Sequence, residues 1–403
     1  MCKVTINGHT YLGNNEDSWR LGSRIWFENG SHEKLGAIYV GYSNLFPQGG
    51  MNEAGLAFDG LTTLPKPVKK SYALPVGNAL EFVKQIMQTC KTVEDVRRFA
   101  VQYNRQEFFN NGEYLFADRS GHYLVMESDT LLMGNDDKYL IANFCPSVTS
   151  DKEKLGWDRY RRGIEYIRNH PGDTNSNYTL ALVDTMHECR EKMGDGTMYS
   201  FVADLDKGEM SLYFYHDFQH EVRYNLKQEL SKGDHLIDML TIFPPNKEYQ
   251  QLVSYKTPHK NVWVLAYLYL VRGFFLFIAI FFIFSFILNR RINVIQKNTY
   301  PGIKLALAAM GFLLMYFSMV LTKNEFFFYS PSPYHEPGFS LLNAAAYIPF
   351  LLLILVIPSI RWNYLVMRNS NWSIFSKGLF VLNNLVYLSL VALFVYWGFY
   401  NIF

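Results

Sequence analysis

Four predominantly apolar runs close the chain, at Val262–Leu288, Gly302–Thr322, Phe339–Ile360 and Gly378–Phe403. Each offers the about 20 apolar residues that a helix needs to cross the hydrocarbon of a bilayer. In series they predict an all-α, four-helix transmembrane region over 261–403. From Asn261 onward there are nine basic and two acidic residues, which leaves 29 and 34 of the chain's 38 and 36 for the first 260. A mildly acidic front is joined to an apolar, basic back, and a wholly soluble protein is excluded. The front lacks the Lys/Arg-rich patch of a nucleic-acid binder, so the expected partners include membrane lipid and no nucleic acid.

The connections between the runs carry an orientation signal. Arg290, Arg291 and Lys297 follow the first run, and Arg361, Arg368 and Lys377 fall between the third and fourth, whereas Lys323 is balanced by Glu325 and Glu336. The positive-inside rule then places the front domain and the C-terminus on the outer face. Met1 is followed at once by a polar segment, with no visible export signal, and a lost or replaced leader would reconcile the two. Arg272 interrupts the first run. Charge at mid-bilayer is costly, so it is expected to snorkel, to pack inside the bundle, or to meet a lipid headgroup or substrate.

Before the membrane, short stretches of β-branched and aromatic residues alternate with turn signals. They predict strands at Val4–Leu12, Gly36–Tyr42, Leu56–Leu61, Tyr114–Ala117, His122–Met126, Tyr139–Asn143, Met198–Asp204 and Ser211–Tyr215. Apolar residues at three- and four-residue spacing predict helices at Asn78–Thr89, Val93–Tyr103 (with Thr92 as its cap), Trp157–Asn169 and Tyr178–Met193. Strands, then helices, then strands fit an α+β layered sandwich over 1–242. Pro244, Pro245 and Pro258 mark a linker at 243–260.

Cysteines stand at 2, 90, 145 and 189, with no CxxC pair and no Cys/His cluster at zinc spacing, so no metal site is expected. Cys90 and Cys189 fall in helical patterns and read as buried apolar thiols. Cys2 differs, because only Met1 precedes it. If Met1 or a leader is removed, one residue carries both a thiol and a free α-amine. The amine titrates near 7.7–8.0, so it can take the thiol proton and later return it to a leaving amine.

Five motifs accompany that cysteine: Gly13-Asn14-Asn15-Glu16-Asp17 at the end of the opening strand, the glycine-rich turn Gly49-Gly50-Met51-Asn52-Glu53-Ala54-Gly55-Leu56-Ala57, Ile141-Ala142-Asn143-Phe144 at a strand end, Trp157-Asp158-Arg159-Tyr160 opening a helix, and Thr197-Met198-Tyr199-Ser200-Phe201-Val202-Ala203-Asp204. In this order they resemble the choloylglycine hydrolase and penicillin V acylase family of N-terminal-nucleophile cysteine amidohydrolases. The resemblance spans roughly Cys2–Leu226 and not the membrane runs. It implies the αββα sandwich of that family, with Cys2 as nucleophile and Asp17 orienting it and its amine. It further implies Asn143 as an oxyanion-hole donor, Arg159 close to the cysteine, and Asn52, Glu53, Gly55 and Leu56 as a structural turn. The family often has arginine where Asn14 stands, so Arg159 must supply more of the positive charge here. No residue of Leu61–Thr63 matches the family's second oxyanion or pocket residue.

The resemblance implies cleavage of a linear, non-peptide amide through a Cys2 thioester, with no metal or organic cofactor. The expected partner is a small-molecule N-acyl amide, and the sequence assigns no oligomeric state. An alternative is an inactive membrane receptor or assembly protein that uses the hydrolase fold for ligand binding. Two features make the amide lipid-like. The linker is short, and the Glu325–Phe339 loop is rich in aromatics (Phe326, Phe327, Phe328, Tyr329 and Tyr334), the composition of an interfacial belt.

Overall fold

The computed structural model of the chain describes every residue except 68–72, 107–110, 176, 190–195, 290–298, 331, 336–339 and 403. Two compact units result, Met1–Val253 and Ser254–Phe403.

The first unit opens with β1 (Cys2–Ile6), β2 (His9–Ser18), β3 (Ser23–Glu28), β4 (Ala37–Tyr42), β5 (Pro47–Asn52) and β6 (Ala57–Thr62). After a two-residue parallel pair, β7 (Leu74–Pro75) with β8 (Tyr103–Asn104), come β9 (Gly112–Ala117), β10 (Tyr123–Met126), β11 (Leu131–Gly134) and β12 (Lys138–Leu140). The last strands are β13 (Gly196–Asp204), β14 (Glu209–Phe214), β15 (Asp217–Asn225) and β16 (His235–Asp238). The helices are α1 (Ala79–Thr89), α2 (Val93–Ala100), α3 (Asp151–Lys154), α4 (Asp158–Asn169), α5 (Tyr178–Met186), α6 (Leu226–Leu230) and α7 (Lys247–Ser254).

Two antiparallel sheets result, ordered β12-β1-β2-β13-β14-β15 and β11-β10-β9-β6-β5-β4-β3-β16. Phe82, Val83, Ile86 and Met87 of α1, with Val93 and Val96 of α2, bury against Tyr39, Phe58, Phe116 and Leu124 of the eight-stranded sheet. On the six-stranded sheet, Cys2, Val4 and Leu140 pack with Tyr178, Leu182 and Val183 of α5, and Tyr160 and Ile164 of α4 cover them. The two sheets face each other. A Cβ on Gly49 of β5 would stand 2.9 Å from the ring of Phe201 on β13. The layers are therefore helix, sheet, sheet, helix, the αββα sandwich expected.

Local chemistry explains the departures from the sequence reading. Val4–Leu12 is not one strand but a hairpin, turned at Asn7 and Gly8 with φ of 51° and 80°. Asn-Gly supplies the two positive φ values that a tight hairpin turn requires. Helix α2 stops at Ala100 rather than Tyr103, and its start is held by the Thr92–Asp95 capping box. The expected Tyr178–Met193 helix ends at Met186, and its last residues lie outside the described ones. β3, β5, β11, β15, β16 and the short β7–β8 pair were not expected from the sequence.

Asn52 fixes the turn between β5 and β6. Fully buried, its Nδ2 donates to the carbonyls of Met87 and Cys90, both at 2.9 Å, at the end of α1. Its Oδ1 accepts from the backbone N–H groups of Ala54 and Leu56, both at 3.1 Å.

Among the described residues of the second unit, four helical stretches are long and apolar enough to cross a membrane: Val262–Leu288, Pro301–Lys323, Leu341–Asn369 and Ile374–Tyr396. The third runs on past Ile360, so Arg361 and Arg368 lie in its last turns rather than in a loop. The fourth starts before Gly378, placing Lys377 in its first turn. Arg290, Arg291, Lys297 and Glu336 of the orientation count lie outside the described residues. Arg272 packs inside the bundle. Its Nη2 donates to the Ser318 carbonyl at 2.9 Å, it also bonds the Thr322 hydroxyl, and the guanidinium lies 4.7 Å over the Tyr269 ring. Nearby, a Cβ on Gly311 would sit 2.9 Å from the Phe275 carbonyl, so glycine there lets the first two helices approach closely.

Replacing Asn52 orphans two buried carbonyls and two N–H groups, each worth about 1–3 kcal/mol. Asn52→Ala is therefore expected to destabilise the full chain more than Thr92→Ala, a cap loss of about 1 kcal/mol. Asn52→Asp is expected to rescue little, because a carboxylate cannot donate to the Met87 and Cys90 carbonyls. Thermal unfolding of the three detergent-solubilised variants checks the order.

Candidate active site

β1 and β2 position the candidate residues. Cys2 pairs with Gly13 across the hairpin and with Leu140 on the other side. Its side chain is fully buried, and burial pushes the thiol up to about 11, against the pull of the N-terminal ammonium and a Gly13 backbone hydrogen bond. Gly13 makes room for it, since a Cβ there would lie 3.0 Å from Sγ and 2.5 Å from Val183.

Met1 extends the same ladder. Its nitrogen donates to the Ile141 carbonyl at 3.2 Å, and the Ile141 N–H donates to the Met1 carbonyl at 3.1 Å. Burial lowers the pKa of this amine from its ordinary 8.0. Arg159 adds to that effect, while Cys2, Asp59 and Asp17 oppose it.

Asp17 lies on the helix-facing side of β2, where Arg159 from the start of α4 pairs with it and the two side chains are 15% and 20% exposed. The Thr197 hydroxyl donates to the other Asp17 oxygen at 2.6 Å and accepts from the Glu188 N–H at 2.9 Å. A bulge sets this up. Thr197 opposes Asp17 but Tyr199, not Met198, opposes Glu16, so β13 gains a residue beside the site. Glu188 adds a second carboxylate 3.5 Å from Arg159 Nε. Cys2 is thus next to the N-terminal amine, and the charges of Asp17 and Arg159 both act on that amine. Asn143 stands apart from that pair, donating through Nδ2 to the Thr62 carbonyl at 2.8 Å, with a buried Oδ1 that has no partner. This joins Asn143 to the Leu61–Thr63 stretch, beside a cavity of about 250 Å³ lined by Gly60, Leu61, Thr62 and Tyr114.

The opposite face of β2 holds Asn14, where the family often has arginine, and Glu16, to which the sequence alone assigns no role. Asn14 and Glu16 point between the sheets, toward Asp59 of β6. The Tyr42 hydroxyl donates to Glu16 at 3.1 Å. Asp59 is fully buried and neither of its oxygens has a partner in hydrogen-bond geometry. Burial drives its pKa well above the usual carboxylate range, and the Glu16 charge adds to this. Burial also pushes Glu16 up to about 8, with the Tyr42 bond pulling down and Asp17 pushing up. The signal for Asp59 was present as a single acid at a core-facing position of the otherwise apolar Ala57–Leu61 run. Thr197 opens one of the five motifs but without a role of its own, and Glu188 gives no signal, because their roles depend on the bulge and on a distant helix.

Among solved structures, the chain is similar to a variant of conjugated bile acid hydrolase from Clostridium perfringens, at 14% identity and a TM-score of 0.44, covering 61% of this chain and 98% of that one. It is also similar to penicillin V acylase from Agrobacterium tumefaciens, at 14% identity and a TM-score of 0.44, covering 59% of this chain and 91% of that one. No family model and no curated protein matches the sequence.

The raised Glu16 carboxyl has a stability consequence with a definite sign. Between its ordinary 4.5 and about 8 the folded chain binds a proton that the unfolded chain has lost. Stability is therefore fully present below that window and falls as pH rises through it. Glu16→Gln keeps an acceptor for Tyr42 and removes the titration. Its unfolding temperature is expected to fall less steeply from pH 5 to pH 9 than that of the parent, and parallel slopes for the two would refute the assignment.

Proposed function

We propose that this protein is a membrane-anchored hydrolase of linear, non-peptide amides, with Cys2 as its nucleophile once Met1 is removed. The observation that supports this best is the place of Cys2 beside a buried N-terminal amine on which the charges of Asp17 and Arg159 both act. Removing Met1 transfers that amine to Cys2 itself and opens the space Met1 fills, so the thiol gains both a base and access. The amine takes the thiol proton, and sulfur attacks the amide carbon. The tetrahedral oxyanion needs preset donors, a role assigned to the second Asn143 amide hydrogen with a backbone N–H. Collapse expels the amine half, which carries off the proton, and leaves an acyl thioester. Water, deprotonated by the same α-amine, then releases the acid. Asp17, held by Arg159 and Thr197, orients the amine, and Arg159 supplies the positive charge that Asn14 does not. No step requires a metal or organic cofactor. The substrate class is an N-acyl amide with a lipid-like chain, met at the membrane, with the catalytic unit on the outer face.

One observation favours the second reading, a receptor or assembly protein that binds ligand without turnover. With Met1 in place the Cys2 thiol is sealed in the core and held at about 11, which leaves almost no thiolate at neutral pH.

Two experiments test the proposal. Protein with a free Cys2 amine should hydrolyse N-acyl amides and acquire one acyl adduct at Cys2 by intact mass. Extension ahead of Cys2, or Cys2→Ala, should lower kcat/KM by about 10³-fold or more. Turnover that survives in the extended protein removes the mechanism, and labelling of Cys189 with Cys2 untouched favours the receptor. The second experiment compares the full chain with a fragment ending at Val253 on short- and long-chain amides. A selective loss on the long chain is expected, since each CH₂ drawn into water costs about 0.8 kcal/mol. Equal losses would make the spans only an anchor.

A further inference from the structure

Away from Cys2, the fold gathers a set of ligands that sequence spacing does not announce. Cys189 follows α5, His216 sits in the turn between β14 and β15, and Glu248 lies in the first turn of α7. A thiol sulfur, a ring nitrogen and a carboxylate oxygen from these three lie within 4.8 Å of one another. All three line one cavity of about 760 Å³, together with His187 and Asp184.

His216 gives the independent sign of a ligand. Its side chain is only 7% exposed, Nδ1 lies 3.2 Å from Glu248 Oε2, and the buried Nε2 has no hydrogen-bond partner. Nδ1 is the nitrogen turned to Glu248 and so the one that can share an ion with that carboxylate, while Nε2 faces Gly196. Gly196 leaves the ring room, since a Cβ there would approach Nε2 to 3.2 Å. A neighbouring imidazole is already in position, with the His187 ring 5.8 Å from that of His216 and its Nδ1 fixed 3.1 Å from Asp184. A carboxylate beside one ring nitrogen is also the usual companion of a metal-bound histidine.

We propose that Cys189, His216 and Glu248 form a binding site for one zinc-class divalent cation, with the remaining position open to water or His187. Thiolate, imidazole and carboxylate together suit Zn²⁺ or Co²⁺, whereas Mg²⁺ and Ca²⁺ take oxygen ligands. The cation joins three segments that are far apart in the chain. It also fixes the residue next to Cys189, because Glu188 reaches both Arg159 and Arg162 at 3.5 Å. A bound ion would therefore brace the Arg159–Asp17 pair from behind. Binding itself does not depend on whether the protein hydrolyses amides.

The test uses the full chain in detergent, stripped with a chelator and titrated with Co²⁺. One ion per chain is expected, with a sulfur-to-cobalt charge-transfer band and the intense visible bands of four-coordination. Cys189→Ser should abolish the charge-transfer band, and His216→Ala and Glu248→Gln should each weaken binding about 10–100-fold. No bound Co²⁺, or a thiolate band that survives Cys189→Ser, overturns the proposal. Should a variant fail to fold, the parent protein still decides. Cys189 is solvent-accessible, and Zn²⁺ should slow its alkylation, read by peptide mass, while Mg²⁺ does not. Equal alkylation with and without Zn²⁺ refutes the site.

Discussion

β2 is covered on both faces, and a strand so placed must divide its side chains by strict alternation between two different interiors. Gly13, Asn15 and Asp17 turn toward the helices, where Asn15 Nδ2 donates to the Val183 carbonyl at 2.8 Å and Asp17 meets Arg159. Asn14 and Glu16 turn toward the other sheet, where Tyr42 and Asp59 wait. A slip of one residue would exchange the two sets and bury Asp17 away from Arg159. The Asn7-Gly8 turn prevents the slip by fixing which β2 residue stands opposite Cys2. The register of one short hairpin thus decides whether nucleophile, orienting acid and arginine share a face.

The same alternation concentrates acid in the space between the sheets. Asn14 contributes no charge there and Arg159 lies on the far side of β2; the N-terminal ammonium draws the Asp59 pKa down and Arg20 draws that of Glu16 down, but burial outweighs both. Protonation is the cheaper way to keep them inside. The result is a space between the sheets where burial favours the neutral form of two carboxyls, while on the other face of the strand Asp17 pairs with Arg159. One strand separates the two electrostatic regimes.

Features with local causes were legible in the sequence. The apolar runs, the Thr92 cap and the helix opening near Trp157-Asp158-Arg159 all follow from neighbours within a few residues. The boundaries of the membrane helices were less so, because Arg361, Arg368 and Lys377 can sit in a terminal helical turn as readily as in a loop. What stayed hidden was set by distant partners. Thr197 reaches Asp17 only through a bulge, Asn143 meets Thr62 across two sheets, and Cys189, His216 and Glu248 come from three elements with no common spacing. Asp59 lay in plain view, but an acid in an apolar strand has meaning only once the opposite sheet is known.

The rung between Met1 and Ile141 has a further implication for recognition. In a chain that begins at Cys2, the Ile141 N–H and C=O both lose their partners at a strand end beside the thiol. That leaves one donor and one acceptor at backbone spacing, the pattern by which an extended segment adds to a sheet edge. A secondary amide can give its N–H to the Ile141 carbonyl or its C=O to the Ile141 N–H, though not both at once because the two point to opposite sides, whereas an ester of the same shape has no N–H to offer. The backbone alone would then favour an amide over an ester, whatever side chains line the rest of the pocket.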